Sequence, residues 1–250
     1  MPVLPGPAAL AVSPRGERER AETLLSRLYA EQLALTPDDA YLTDHARPRI
    51  VSGQVDAFRW YRSLIPPTGA VLDWGCNHAP DSCLLRGSGG DYALHGCDFR
   101  EPGRFRAFHD FADLQFQPLK HLYHIPHHDG AFDAVIASGV LEHAAWEYES
   151  LKELYRVLRP GGVLVITYLP NRLSVQEWLL RSVYKKGHHL RLYGRAATRR
   201  MLLGTGFEII DARFQAELSA GWAGAAMRVV PGLAAFSSVL CFAARKLTAM

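Results

Sequence analysis

The stretch VLDWGCNHAP, residues 71–80, decides the fold of this chain. Its apolar first part ends near Asp73, and glycine, asparagine and proline then break the run, which is typical of a buried strand that leads into a loop. Pro80 and Asp81 suit the first turn of a helix, where proline is tolerated and a carboxylate interacts favourably with the helix dipole. The stretch therefore predicts a strand, a loop that faces a ligand, and a helix.

The same alternation of strands and helices continues toward the C-terminal end of the sequence. The clearest helix covers residues 148–158, whose apolar side chains fall on one face, and the sequence RPGG at 159–162 is predicted to end it. Strands that alternate with helices predict an α/β fold, in which a mostly parallel sheet is covered by helices on both faces. The strand candidates are residues 70–73, 93–97, 132–138, 163–168, 207–214 and 239–245.

Three regions of different composition divide the chain. Residues 1–16 contain four prolines and are predicted to be a disordered tail. Residues 17–66 show helical periodicity and end at a Pro-Pro pair, so we expect an N-terminal helical extension that packs on the main domain as a lid. Residues 67–250 form the main domain, with a basic insertion at about 172–200.

Composition and charge are those of an ordinary folded protein. Hydrophobic residues make up 48% and charged residues 21% of the chain, and a formal charge of +3 does not by itself indicate nucleic-acid binding. We recognise no signal peptide and no uninterrupted apolar stretch long enough for a transmembrane segment, and the four cysteines lack zinc-site spacing. We therefore expect a soluble, cytoplasmic protein with reduced thiols.

Polar residues directly follow several of the predicted strands. Asp73 and Gly75 follow the first strand, Asp98 ends the second, and residues 138–143 follow the third. Because ligands of open α/β sheets bind at the carboxyl ends of the strands, we expect these residues to meet at one site. A carboxylate at Asp98 suits the two hydroxyls of a ribose, and a glycine at position 75 lets the backbone approach a ligand closely.

Four stretches resemble, in order and spacing, the motifs of the class I S-adenosylmethionine-dependent methyltransferases. They are VLDWGC (71–76), GCDF (96–99), IPHHDGAFDAVIASGVLEH (125–143) and LKELYRVLRPGGVLVITYLPN (151–171). The resemblance covers roughly residues 70–245. It implies a doubly wound, mostly parallel, seven-stranded sheet and S-adenosyl-L-methionine as the cofactor, with methyl transfer as the activity.

The resemblance also implies which residues contact the cofactor. All of them lie in loops at the carboxyl edge of the predicted sheet. They are Asp73, Gly75, Cys76 and Asn77 on the methionine side, Asp98 at the ribose, Phe99, His121 and Leu122 at the adenine, and Ser138 and Gly139 under the sulfonium centre.

Three positions depart from the family pattern. Asn77 and Ala79 stand where the second and third family glycines are usual, and His121 replaces an acidic residue of the adenine loop. Asparagine tolerates left-handed backbone conformations and alanine adds only a methyl group, so the loop can still form. We expect unusual backbone geometry, or weaker cofactor affinity, at these two positions.

His143 is a candidate general base, because an imidazole can take a proton from a hydroxyl as the methyl group arrives. The alternative is that His143 only begins a helix near the site. Relatives that use a metal carry a further glutamate at the position of Gly139, so no metal is expected here. The histidines at 121, 124, 127 and 128 have no cysteine or carboxylate framework, and a surface loop explains them better than a metal site.

A basic segment, RSVYKKGHHLRLYGRAATRR at 181–200, contains seven Lys/Arg and no acidic residue. One interpretation is a solvated helix face. The other is a binding site, either for an anionic acceptor or for the surface of a membrane that the protein contacts peripherally. Sequence-specific nucleic-acid motifs are not recognised. The candidate acceptor residues are Glu142, Trp146, Tyr168, His188, His189, Arg191 and Tyr193.

The sequence therefore predicts methyl transfer to oxygen, nitrogen or carbon of a small-molecule acceptor, such as a metabolite, a saccharide or a lipid-linked intermediate. The altered loop leaves open an inactive relative that only binds the cofactor or regulates. A nicotinamide-dependent oxidoreductase is disfavoured, because no G-x-G-x-x-G follows the first strand.

Overall fold

The computed structural model describes residues 14–99, 103–182, 191–215 and 233–248. Within them, seven strands form one sheet in the order β3-β2-β1-β4-β5-β7-β6, and only β7 runs antiparallel to its neighbours. This confirms the predicted doubly wound, mostly parallel, seven-stranded sheet. The strands are β1 (Thr68–Trp74), β2 (Asp91–Asp98), β3 (Gln115–Pro118), β4 (Phe132–Ser138), β5 (Leu158–Pro170), β6 (Phe207–Gln215) and β7 (Val239–Lys246).

Eight α-helices of the described ranges surround the sheet. They are α1 (Pro14–Leu35), α2 (Ala40–His45), α3 (Pro48–Tyr61), α4 (Pro80–Gly87), α5 (Arg106–Ala112), α6 (Glu147–Val157), α7 (Val175–Ser182) and α8 (Arg195–Gly204), with short 3₁₀ helices at Leu141–His143 and Leu233–Phe236. We call α1, α2 and α3 the N-terminal layer. No helix among the described residues is long and apolar enough to cross a membrane.

Two details differ from the sequence predictions. The helix ends before residues 159–162 as predicted, but β5 follows α6 without a loop and begins at Leu158, which pairs with Phe132 of β4, rather than at residue 163. Gly161, at φ +80°, provides the backbone conformation that the bend in this strand requires. The sequence pattern also missed β3, a four-residue edge strand whose residues are mostly exposed and therefore show no apolar run.

The core consists of two hydrophobic clusters, one on each face of the sheet. Val71 belongs to the cluster under α1, α3, α4 and α5, whereas its neighbour Leu72 belongs to the cluster under α6 and α8. Successive residues of a strand point to opposite faces, so an unbroken apolar strand fills both clusters. Leu25 and Leu28 of α1 lie in the first cluster, which makes the N-terminal layer part of the main core.

Polar contacts also fix the N-terminal layer to the C-terminal edge of the sheet. The Tyr168 hydroxyl at the end of β5 donates to the Gly53 carbonyl of α3 at 3.0 Å, and the Gln215 amide donates to the same carbonyl at 3.0 Å. Trp60 Nε1 donates to the Asp211 carboxylate of β6 at 2.8 Å. The layer is therefore attached to both β5 and β6.

Truncation of Leu28 tests whether the N-terminal layer belongs to the core. Leu28 is 1% exposed, and Leu35 on the same helix is 63% exposed. We expect Leu28→Ala to lower the free energy of unfolding by about 2–5 kcal/mol, because it removes buried methyl groups and leaves a cavity. Leu35→Ala is the matched control and should change it by less than about 0.5 kcal/mol in urea denaturation. Equal stabilities for the two variants would contradict the packing described.

Candidate functional site

A cleft of about 620 Å³ opens at the carboxyl ends of β1, β4 and β5, beneath the N-terminal layer. From β1 the chain adds β2 and β3 on one side of the sheet and then returns to add β4 and the later strands on the other side. Ligands of doubly wound sheets bind at this switch point between β1 and β4. The lining residues are Tyr41, His45, Ile50, Gln54, Asp73, Gly75, Cys76, Asn77, His78, Pro80, Asp81, Ser138, Gly139, Glu142, His143, Tyr168 and Val239.

Two buried carboxyl groups form the floor of the cleft. Asp73, in β1, accepts a hydrogen bond from Ser82 Oγ at 2.7 Å, and Asp81 accepts one from the Tyr61 hydroxyl of α3 at 2.6 Å. Burial raises the pKa of both carboxyls, and the charge of Asp81 raises the pKa of Asp73 further. The floor therefore binds protons more tightly than exposed carboxylates would.

The loop after β1 has the unusual geometry expected from its altered glycines. Asn77 and Ala79 both have left-handed backbone conformations, at φ +47° and +57°. Gly75, at φ +69°, packs so closely against Val140 that a Cβ on it would lie 2.6 Å from the Val140 methyl carbons. The loop thus retains a glycine-like path without its second and third glycines, and its bare backbone at Gly75 faces the cleft.

Asp98, at the end of β2, lies beside this loop. Its carboxylate accepts a hydrogen bond from the Asn77 backbone N–H at 2.9 Å, which fixes it beside a loop residue of the lining, although Asp98 is not itself among the lining residues. The three residues predicted at the adenine do not line the cleft: Phe99, His121 and Leu122 are all exposed on neighbouring loops. Their contact with an adenine remains a prediction.

Glu142 is a buried acid on the wall opposite the loop. It is 3% exposed, and its Oε2 has no hydrogen-bond partner. Burial raises its pKa to about 7. His143, the predicted general base, also lines the cleft, but its side chain is 62% exposed and its Nε2 lies 4.0 Å from Glu142 Oε1.

Tyr168, one of the lining residues, has a strained backbone. Its φ of +61° is rare for a bulky residue, and it coincides with a shift in the pairing of β5 with β7. The conformation is held by the hydrogen bond from its hydroxyl to Gly53 of α3. Strain of this kind is typical of functional sites, and it places Tyr168 in the cleft lining.

The other acceptor candidates that the structure describes are not part of the cleft lining. Arg191 donates to the carbonyls of Ala144 and Ala145, and the Tyr193 hydroxyl donates to the Glu147 carboxylate. These contacts fasten the segment between Glu142 and α6. Trp146 is 57% exposed outside the lining, and His188 and His189 lie outside the described residues.

Sequence reasoning missed the part of the lining that comes from the N-terminal layer. Tyr41 stacks on His45 with ring centroids 3.9 Å apart, and both rings lie edge-on to His78 at 5.6 Å. The Tyr29 hydroxyl bonds His78 Nε2 at 2.7 Å, while His78 Nδ1 has no partner. Burial lowers the pKa of His78 well below 6.5, so the ring is neutral. Tyr41 and His45 are four residues apart, which places them on one helix face. This spacing was the only sequence signal that could have indicated their shared position in the lining.

The lining is suited to a polar ligand. Six buried side-chain polar atoms of the described residues lack a hydrogen-bond partner, and three of them belong to the cleft: Asn77 Oδ1, His78 Nδ1 and Glu142 Oε2. Buried polar groups are nearly always paired, so unpaired ones that gather in one cleft indicate a missing ligand or solvent. The described residues hold no cluster of three or more His, Cys, Asp or Glu side chains arranged for a metal ion.

Replacement of Glu142 tests its raised pKa. The folded protein keeps a proton on this carboxyl up to pH 7, whereas the unfolded chain loses it near pH 4.5, so stability falls as the pH rises through this interval. At pH 8 we expect Glu142→Gln to raise the free energy of unfolding by about 2–3 kcal/mol, with little effect at pH 4.5. Glu208→Gln, on the exposed face of β6, is the control for urea denaturation. An equal effect of Glu142→Gln at both pH values would refute the shift.

Comparison with known proteins identifies the family. A family described as "Methyltransferase domain" matches residues 42–212. A Mycolicibacterium smegmatis protein named "Probable S-adenosylmethionine-dependent methyltransferase" is 32% identical over 145 residues, 56% of this chain and 52% of its own length. A tRNA U34 carboxymethyltransferase of Syntrophotalea carbinolica is 48% identical over 52 residues, 21% of this chain and 16% of its own. The chain thus spans about half the length, or less, of these curated relatives.

Solved structures with 20% identity or less share the fold. The [4+2]-cyclase SpnF has a TM-score of 0.57 at 20% identity, covering 80% of this chain and 82% of its own. The Burkholderia thailandensis 1,6-didemethyltoxoflavin-N1-methyltransferase, solved with its substrate and S-adenosylhomocysteine, has a TM-score of 0.56 at 16% identity, covering 97% and 94%. Because the family match spans residues 42–212, well over half of the 250, the chain belongs to the class I, S-adenosylmethionine-dependent methyltransferase family.

Proposed function

We propose that this protein transfers a methyl group from S-adenosyl-L-methionine to a small-molecule acceptor in the cleft at the ends of β1 and β4. The observation that carries the proposal is the pairing of Asp98 with the loop at Gly75. A carboxylate is fixed by the Asn77 N–H beside a backbone position that has no room for a Cβ. These two neighbouring features fit the cofactor, because the hydroxyls of a ribose need a carboxylate and its amino-acid group needs close access to the backbone.

The residues that would hold the cofactor come from three strand ends. Asp98 would take the ribose hydroxyls, the loop from Gly75 to Asn77 would line the methionine side, and Ser138 and Gly139 would lie under the sulfonium. When bound there, the cofactor supplies a methyl group on a positively charged sulfur, ready for attack by a nucleophile. The task left to the protein is alignment of the two reactants and exclusion of water.

The N-terminal layer supports a small acceptor. Tyr41, His45, Ile50 and Gln54 cover the cleft from above, so the space beyond the cofactor is enclosed by side chains of α2 and α3. A tRNA is the substrate named for several of the curated relatives. An enclosed cleft favours a small molecule over a polynucleotide, which needs an extended basic surface.

An inactive relative is the second candidate. The altered loop at Asn77 and Ala79 supports this candidate. So does the [4+2]-cyclase among the fold neighbours, because it shows that a shared fold does not fix the reaction. Cofactor binding without methylation of any acceptor in a broad panel would favour this candidate. Methylated product would exclude it.

Replacement of Asp98 tests the cofactor site. We expect Asp98→Asn to weaken binding of S-adenosylhomocysteine by about tenfold to a hundredfold in calorimetry, because it removes a charged acceptor of hydrogen bonds. The control is Asp91→Asn, which makes the same change at the opposite end of β2, where the residue is exposed. We expect it to leave the affinity within about twofold of the wild type. Unchanged affinity in Asp98→Asn would show that the ribose site is elsewhere.

A further inference from the structure

The charge of the cleft lining is one-sided. Besides Tyr41, Cys76 and Tyr168, its titratable side chains are three carboxyls (Asp73, Asp81 and Glu142) and three imidazoles, and no lysine or arginine occurs among the described residues that line it. Arg191, which belongs to the basic segment at 181–200, donates hydrogen bonds to the carbonyls of Ala144 and Ala145. The cleft is therefore built for a ligand that is cationic or rich in hydrogen-bond donors.

Glu142 lines the cleft beside a bare glycine. A Cβ placed on Gly139 would lie 3.8 Å from Glu142 Oε1 and 3.9 Å from Tyr168 Cβ, so the carboxyl, the glycine and the tyrosine border one space. Glu142 Oε2 is buried and unpartnered. Once the carboxyl is ionised, its oxygens only accept hydrogen bonds, and among the described residues Oε2 has no donor.

Aromatic rings line other parts of the same cleft. Tyr41, His45 and His78 form one cluster of rings, and Tyr168 also belongs to the lining. Burial lowers the pKa of both His45 and His78, which favours uncharged rings at neutral pH. Neutral aromatic faces and a buried carboxylate together stabilise an organic cation.

We propose that the acceptor is a small organic amine and that Glu142 is the catalytic residue, which binds the ammonium group of the amine and takes a proton from it. This inference rests on the proposed function. In this step an N–H proton passes to the Glu142 carboxylate, and the freed lone pair of nitrogen forms a bond to the methyl carbon. The C–S bond breaks and its electron pair stays on sulfur. The products are the N-methylated ammonium, the neutral thioether and a protonated Glu142, which returns its proton to solvent.

The pKa of Glu142, near 7, suits this role, because a general base works best when its pKa lies close to the working pH. His143 also lines the cleft but is less suited, since its side chain is mostly exposed. The titratable or charged groups that face Glu142, directly or through one neighbour, are His143 of its own 3₁₀ helix, Tyr168 of β5, and Tyr193 with its partners Glu147 and Arg191.

The test uses the whole chain saturated with S-adenosylhomocysteine, titrated calorimetrically with benzylamine, benzyl alcohol and benzoate. We expect the amine to bind at least tenfold more tightly than benzoate at pH 8, and about tenfold more tightly at pH 8 than at pH 6, as Glu142 ionises. Glu142→Gln should weaken amine binding at least tenfold and abolish this pH dependence. Glu149→Gln, an exposed carboxylate on α6, is the matched control and should change neither.

The catalytic part has its own readout. Mass spectrometry of benzylamine incubated with S-adenosylmethionine should detect the N-methylated product with the wild type and none with Glu142→Gln. Three binding results would overturn the inference. Benzoate could bind as tightly as the amine, or the amine could show no saturable binding. The third is that the pH dependence of amine binding is lost in His143→Gln and not in Glu142→Gln. So would the absence of N-methylated product from bound amine. If S-adenosylhomocysteine itself fails to bind the wild type, the proposed function fails, and calorimetry shows this before any amine is added.

Discussion

The hydrogen bond from the Tyr61 hydroxyl to the Asp81 carboxyl joins the N-terminal layer to the first turn of α4, directly after the β1 loop, and the rest of the site depends on it. Both groups are buried, so neither has water as an alternative partner. The contact holds α3 over the carboxyl edge of the sheet. Gln54 and Ile50 of the same helix thereby reach the cleft, and a surface groove becomes an enclosed site.

The buried carboxyls give this site its electrostatic character. Asp73, Asp81 and Glu142 all have raised pKa values because burial penalises their charged forms. Without a ligand such groups hold protons, and a cation placed among them favours their ionised forms. This character differs from the anionic acceptor suggested by the basic segment, part of which, including His188 and His189, lies outside the described residues. The described lining favours a cationic ligand.

Much of the fold could be predicted from the sequence because buried parallel strands are continuous apolar runs. The residues that follow them, Asp73, Gly75 and Ser138, were placed correctly in one cleft because parallel strands end at one edge. The exposed edge strand β3 carries no such run and was missed. His78 and the aromatic residues of α2 were missed for a different reason: no local pattern shows where a helix before the first strand will pack.

The most direct test of the account is calorimetric titration of the wild-type protein with S-adenosylmethionine at pH 7 in two buffers with different ionisation enthalpies. Burial raises the pKa of Glu142 to about 7, so this carboxyl is partly protonated at pH 7, and burial shifts the pKa of Asp73 in the same direction. A cationic ligand that favours the ionised carboxyls should therefore release protons when it binds. We predict saturable binding whose apparent enthalpy differs between the buffers by the amount expected for net proton release. Binding without proton release, or binding of NAD in place of S-adenosylmethionine, would contradict the account.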